Sequence, residues 1–369
     1  MTTDEQGRIH AAITTSDGAK VRDGSRVSDY LLVRLRPDGR LDPSFSGNGM
    51  TLRDVARTDV AADIAVGPDG KTVMVGTSRT PGTDTTPPTE RITVIRTTVS
   101  GGRDRSFSGD GIAQPWTAWR YAEAQAVAVL PNGKILVAGH HSSTRGDMVL
   151  IRLLPNGRLD RTFASDGKFV QDLGDIYPTD MTLDAQGRIL LSAHKPGGRD
   201  GDIIAVARFL PGGRLDRTFG KGGVYEGGSG SAQAIAMQAE RVLVVDFHRA
   251  PSCTLSRLTA EGDPDHSFGG GGWAGYPIFG RGLAVQRNEK IIVGGIGDDD
   301  DQFSVARLHR DGQIDRRFGN RGVASVTFGG KGPAGAGRVL IIGSRILAMG
   351  SQTLPDGRSR TVAAAFRVR

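Results

Sequence analysis

His140 and His141, His194 and His248 each close an apolar run of the same kind, at corresponding places along the chain. An imidazole can ligate a metal or carry a proton near neutral pH, so two of them with a carboxylate would suit hydrolysis or elimination. Convergence requires the neighbouring loops to fold inward, and unrelated surface histidines are the plainer reading. A second group, Trp116, Trp119, Arg120 and Tyr121, sets flat aromatic faces beside a cation, a combination that stacks on sugars or anchors a partner. The run Asp298, Asp299, Asp300 and Asp301 could hold calcium. It lacks the alternating spacing of a dedicated calcium loop, and a solvated loop tip is favoured over a metal site. No other cofactor is implied, and no catalytic residue is assigned. There is no Gly-x-Ser-x-Gly elbow, no His-Glu-x-x-His and no Gly-Lys-Ser phosphate loop. The single cysteine, Cys253, leaves no intrachain disulfide and no cysteine-based zinc cluster.

Arginine and aspartate recur together. Arg34 precedes Asp42 by eight residues, and the same spacing holds for Arg96 with Asp104, Arg152 with Asp160, Arg208 with Asp216, Arg257 with Asp265 and Arg307 with Asp315. Each pair lies symmetrically about a turn such as Pro37-Asp38-Gly39, which makes the two residues cross-strand neighbours in a hairpin. A feature repeated this regularly reads as a structural ion pair. The net charge of +7 and pI near 9.8 invite a nucleic-acid reading, which the pairing weakens. Lys71, Lys134, Arg158, Arg188 and Arg214 follow turn glycines and are expected to be solvated, with no stacking aromatics interleaved.

The elements that must carry these residues are strands. A phenylalanine follows each paired arginine by eleven residues, at Phe45, Phe107, Phe163, Phe219, Phe268 and Phe318. Between these copies lies a second element, as in Ala-Val-Ala-Val-Leu-Pro-Asn-Gly-Lys-Ile-Leu-Val-Ala-Gly at 126–139. Each unit predicts four antiparallel strands, A to D, the last ending at the phenylalanine, and helical periodicity is absent. Such units cannot bury both faces alone and must stack. The reading is an all-β, seven-bladed β-propeller of four-stranded antiparallel blades, one domain over 1–369. Its repeats fall near 1–45, 61–107, 124–163, 180–219, 233–268, 281–318 and 337–369. The first and last blades are incomplete, the chain opening inside an A strand and closing without a D strand. A longer native N-terminus is expected on that ground. No stretch approaches the roughly 18 apolar residues of a membrane span and no signal pattern opens the chain, so it reads as soluble, monomeric and cytoplasmic as written. A longer N-terminus would allow a secreted or cell-surface location.

The Val-x-Arg-Leu-x-Pro-Asp-Gly-x-Leu-Asp-x-x-Phe-Gly and Asp-Gly-Lys-Ile-Leu-Val-Ala-Gly runs resemble the delta-60 repeat family of bacterial β-propellers. The resemblance covers nearly the whole chain and implies a fold but no reaction. It weakens at Thr97-Thr98-Val99, at Ala239-Glu240 where Asp-Gly is expected, and in the last unit.

In an antiparallel blade the A–B and C–D connections share one end and the B–C and D–A connections the other. Only the second set varies, which marks that end as the binding face. Trp116, Trp119, Trp273, Tyr121, Tyr177, Tyr225 and Tyr276 all fall in D–A segments. Trp273 and Tyr225 align with the apolar positions of Ile112 and Val323 and are expected to pack between blades. The favoured function is a non-enzymatic binding or scaffolding propeller for a glycan, polyanion or protein. The alternative is a propeller hydrolase or lyase with its site at the mouth of the channel, using His140, His194 or His248 with carboxylates.

Overall fold

The computed structural model describes residues 1–20, 26–83, 85–115, 121–142, 146–171, 173–198, 201–247, 253–297, 301–329 and 332–367. Among them every regular element is a strand. The chain divides into two compact units, Met1–Pro178 and Thr179–Arg369.

In the first unit, β1 (Thr2–Thr3), β2 (Ile9–Lys20), β3 (Arg26–Leu35) and β4 (Met50–Arg53) pair antiparallel in that order. β5 (Thr58–Val66), β6 (Thr72–Thr80), β7 (Thr89–Thr97) and β8 (Ile112–Ala113) repeat the arrangement. One parallel pair, Ser28 with Thr58, joins the two groups. β9 (Ala122–Val129), β10 (Ile135–Ser142), β11 (Gly146–Leu153) and β12 (Lys168–Gln171) form the next four-stranded sheet.

The second unit takes over within β13 (Tyr177–Leu183), which pairs in turn with β14 (Ile189–Gly198), β15 (Gly201–Phe209) and β16 (Val224–Ser229). β17 (Ser231–Gln238), β18 (Arg241–Phe247), β19 (Cys253–Leu258) and β20 (Trp273–Tyr276) follow. Then come β21 (Phe279–Val285), β22 (Ile291–Ile296), β23 (Gln302–Leu308) and β24 (Val323–Thr327). β25 (Ala334–Ile342), β26 (Arg345–Thr353) and β27 (Ser359–Arg367) make a three-stranded sheet.

Within each unit the core lies between consecutive sheets. β18 shows why its sequence is continuously apolar. Val242 and Val244 pack with Leu190 and Val206 on one side, while Leu243 and Val245 pack with Ile291 and Val293 on the other. A strand covered on both faces loses the apolar-polar alternation of a half-exposed one. Each fully buried aliphatic contributes roughly 1.5–3 kcal/mol.

The Asp-x-x-Phe run is not the end of a fourth strand. Asp42 Oδ1 accepts from the backbone N–H of Ser44 at 3.1 Å and from its hydroxyl at 2.7 Å, and Phe45 N–H donates to the Asp42 carbonyl. The side chain thus mimics a backbone turn, and the outer strand starts only at Met50. The turn aims Phe45 at the neighbouring sheet. Gly101 sits against the Phe45 ring, Gly157 against Phe107, Gly262 against Phe219 and Gly312 against Phe268, where an added Cβ would stand 2.9–3.1 Å from the ring. All four glycines have φ between 85° and 91°, so glycine is required there twice over.

The six arginines and aspartates meet at 2.8, 2.6, 2.7, 2.8, 2.9 and 2.8 Å in chain order. Each guanidinium also lies 4.4–4.8 Å from the centre of its own repeat's phenylalanine ring, a cation–π contact strengthened by the loss of water. Arg34, Arg208 and Arg257 reach further, donating to the carbonyls of Val99, Ala260 and Arg310 in the following sheet. The motif is therefore both an ion pair within a sheet and a clasp between sheets. Lys71 and Lys134 are not simply solvated: they reach Asp104 at 3.1 Å and Asp160 at 2.8 Å. Arg188 pairs with Asp184, while Arg158 and Arg214 are exposed.

Where the repeat departs from glycine the backbone does not. The turn glycines Gly7, Gly70, Gly133 and Gly187 have φ of 71–75°, and Glu289 occupies the equivalent place at 63°. A side chain there costs roughly 1–2 kcal/mol, and the exposed contact of Glu289 with Arg310 returns little. Glu289→Gly should therefore raise stability by about 0.5–1 kcal/mol after the entropy lost to glycine. Urea unfolding should show a higher midpoint, and an unchanged or lower one contradicts the strain argument.

Candidate binding cleft and carboxylate–histidine cluster

On β10, His140 stands opposite Met148 and Glu123, and His141 opposite Asp147 and Ala122. Successive residues of a strand face opposite ways, so the two neighbouring histidines do not converge. His140 meets the Tyr177 ring edge-on at 5.3 Å, with Nε2 4.0 Å from Glu123 Oε2. His141 Nδ1 is 3.9 Å from Asp147, and burial holds its pKa below the usual histidine value despite that carboxylate. His194 is half-buried on β14 opposite Ile204, in the second unit. Tyr121 is half-buried and bridged to Glu90 through the backbone. Asp301 is half-buried just before β23. Trp116, Trp119, Arg120, His248, Asp298, Asp299 and Asp300 lie outside the described residues.

Two glutamates join His140. Arg79, at the end of β6, bonds Glu123 at 2.9 Å and Glu90 at 3.2 Å. Burial raises the Glu90 pKa, the Arg79 charge opposes this, and the charge of Glu123 with its hydrogen bond raises it again. Two carboxylates this close favour sharing a proton. Sequence reasoning missed both, because neither belongs to the repeat and no local spacing links residues 79, 90, 123 and 140.

A cleft of about 850 Å³ lies in the second unit, lined in part by Trp273, Lys290, His309, Asp315, Arg316 and Arg317. Trp273 is 53% exposed, contrary to the expectation that it packs between blades. β20 alternates outward and inward, so Ala274 and Tyr276 enter the core while Trp273 and Gly275 face out. Tyr225, by contrast, is half-buried against the core that contains Phe219 and Val206. Lys290 reaches Asp315 at 2.8 Å, but Arg316 and Arg317 are exposed and make no ion pair among the described residues. Lys290 lies beside an A–B turn and His309 at a C–D turn, so the cleft opens at the uniform end of the sheets and not at the end with variable loops. An exposed indole beside unpaired guanidinium groups can stack on a ring and contact an anion at once.

The sequence profile of a family described as "Domain of unknown function (DUF5122) beta-propeller" matches residues 22–45, 130–163 and 286–318, each segment ending on a repeat phenylalanine. The match supports a β-propeller fold. No curated protein matches the chain. Among solved structures it is similar to a protein of unknown function from Dyadobacter fermentans DSM 18053, at TM-score 0.52 and 11% identity over 84% of this chain and 95% of that one. It is also similar to hydrazine synthase of Kuenenia stuttgartiensis, at 0.53 and 10% over 94% and 97%. A third is a polysaccharide (ulvan) lyase bound to -[GlcA(1-4)Rha3S]-, at 0.51 and 12% over 97% and 90%. These likenesses are of fold: all-β, built of four-stranded antiparallel sheets, of the propeller kind.

Proposed function

We propose that the chain forms one seven-bladed β-propeller that binds an acidic glycan without turning it over, Trp273 providing the stacking face and Arg316 and Arg317 the anion contacts. The exposure of Trp273 at 53% carries this reading, since an exposed indole beside cations offers a flat face that a sugar ring can cover while its acidic groups meet the guanidinium groups. A similar fold that takes an acidic, sulfated sugar, the ulvan lyase, is consistent with that substrate class. Calorimetric titration with sulfated, carboxylated and neutral polysaccharides tests it. Trp273→Ala should weaken binding of the acidic polymers about tenfold, near the upper end of a stacking contribution. Arg316→Ala should weaken it too and flatten its salt dependence. Equal affinity of wild type and Trp273→Ala would sink the proposal.

A second reading rests on the Glu90–Glu123 pair. Glu90, whose pKa is raised, beside a second carboxyl is an arrangement suited to general acid–base work, and His140 stands 4.0 Å from Glu123. The same polysaccharides incubated with the chain would then release reducing ends or unsaturated sugars, and no product from any of them removes the enzymatic reading.

A further inference from the structure

Asp29 on β3, Asp54 just after β4 and Asp59 on β5 each bring one carboxylate oxygen to a common point, all within 4.8 Å of one another. Asp59 is fully buried. Its Oδ2 accepts from the N–H groups of Val55 at 2.8 Å and Ala56 at 3.2 Å, while Oδ1 has no hydrogen bond of good geometry. The Ser78 hydroxyl lies close enough to temper the charge, but it is engaged by Tyr30 at 3.0 Å and Thr93 at 2.8 Å. Neither Asp54 nor Asp59 has a cationic partner among the described residues. Arg53, next in sequence, is held by Thr51, Leu52 and Gly101 at 2.6, 2.7 and 2.9 Å. Burial, and after it the charge of Asp54, pushes the Asp59 carboxyl above its usual range.

A fully buried carboxylate with one oxygen lacking a donor, brought together with two more carboxylates, is unfavourable unless a positive ion joins them. We propose that Asp29, Asp54 and Asp59 bind a calcium ion that ties β3 and β4 to β5. The ligands are all hard oxygens. Calcium accepts six to eight oxygens in flexible geometry, which suits three carboxylates from different strands completed by water, whereas magnesium demands a near-ideal octahedron. The exposed side at Asp54 leaves room for water ligands. This site is distinct from the acidic run at 298–301 and independent of the glycan cleft.

Calorimetric titration of the full chain with calcium, after EDTA and dialysis, should give one site, and thermal unfolding should shift upward by a few degrees with excess calcium. Asp54→Asn, at an exposed position, should fold normally and bind at least tenfold more weakly. Asp59→Asn should unfold in EDTA no earlier than wild type, because it removes an uncompensated buried charge, yet show no calcium shift. Absence of heat and of any shift in wild type overturns the proposal, as does an undiminished shift in both variants.

Discussion

Arg34→Met should lower the unfolding free energy by about 3–5 kcal/mol, the cost of stripping one partner from a buried ion pair. Arg34 is 1% exposed and uses every face of its guanidinium. Nε meets Asp42 at 2.8 Å, Nη2 meets Ser44 at 2.8 Å, Nη1 meets the Val99 carbonyl, and the plane lies 4.7 Å from the Phe45 centroid. Methionine fills similar volume but leaves Asp42 charged and unpaired. Unlike Asp104, Asp160 and Asp315, Asp42 has no lysine in reserve among the described residues. Arg34→Lys keeps the charge but cannot form the fork, and should fall between. Arg40→Met, at an exposed turn position, should stay within about 0.5 kcal/mol of wild type. Urea midpoints read all three, and a loss below about 1 kcal/mol for Arg34→Met would show that the clasp contributes little to stability.

The clasp also explains which parts of the fold were legible in the sequence. A spacing of eight residues between Arg and Asp survives every copy because one short hairpin sets it, so pairing and strand order can be read locally. The role of Phe45 could not, because it depends on Gly101, 56 residues later, and the turn that aims it comes from a side-chain hydrogen bond of Asp42. Trp273 departs from the sequence expectation for a related reason. Alignment with Ile112 and Val323 fixes its position in the repeat but not how far the ring protrudes, and those smaller residues are half-buried where the larger indole is exposed. The carboxylates of Asp29, Asp54 and Asp59, like Glu90 and Glu123, come from different strands, and no spacing rule joins them.

Acid should unfold the chain steeply between about pH 4 and pH 2. Burial alone would raise the repeat aspartates, but hydrogen bonds from Ser106 and Lys71, followed by the charge of Arg96, bring Asp104 down to about 2. Lys134, Thr162 and Arg152 lower Asp160 further still. Asp42, Asp216, Asp265 and Asp315 are lowered likewise by their hydroxyl, amide and cationic partners. A carboxylate with a depressed folded pKa stabilises fully above its unfolded value near 3.9 and loses that contribution as pH falls through the folded value. For Asp104 this amounts to about 2 kcal/mol. Asp59 and Glu90 are raised and act in the opposite sense, but they are two against six. His10, whose pKa burial depresses, adds a loss that begins below about pH 6.5, since its unfolded form binds the proton first. Circular dichroism followed against pH should therefore show a shallow decline and then a cooperative transition below pH 4. Asp160→Asn, which leaves Arg152 and Lys134 facing a neutral amide, should lower stability at pH 7 and flatten its slope between pH 4 and 2. A transition centred above pH 5, or a slope unchanged in that variant, would mean that the repeated aspartates do not govern the acid limit.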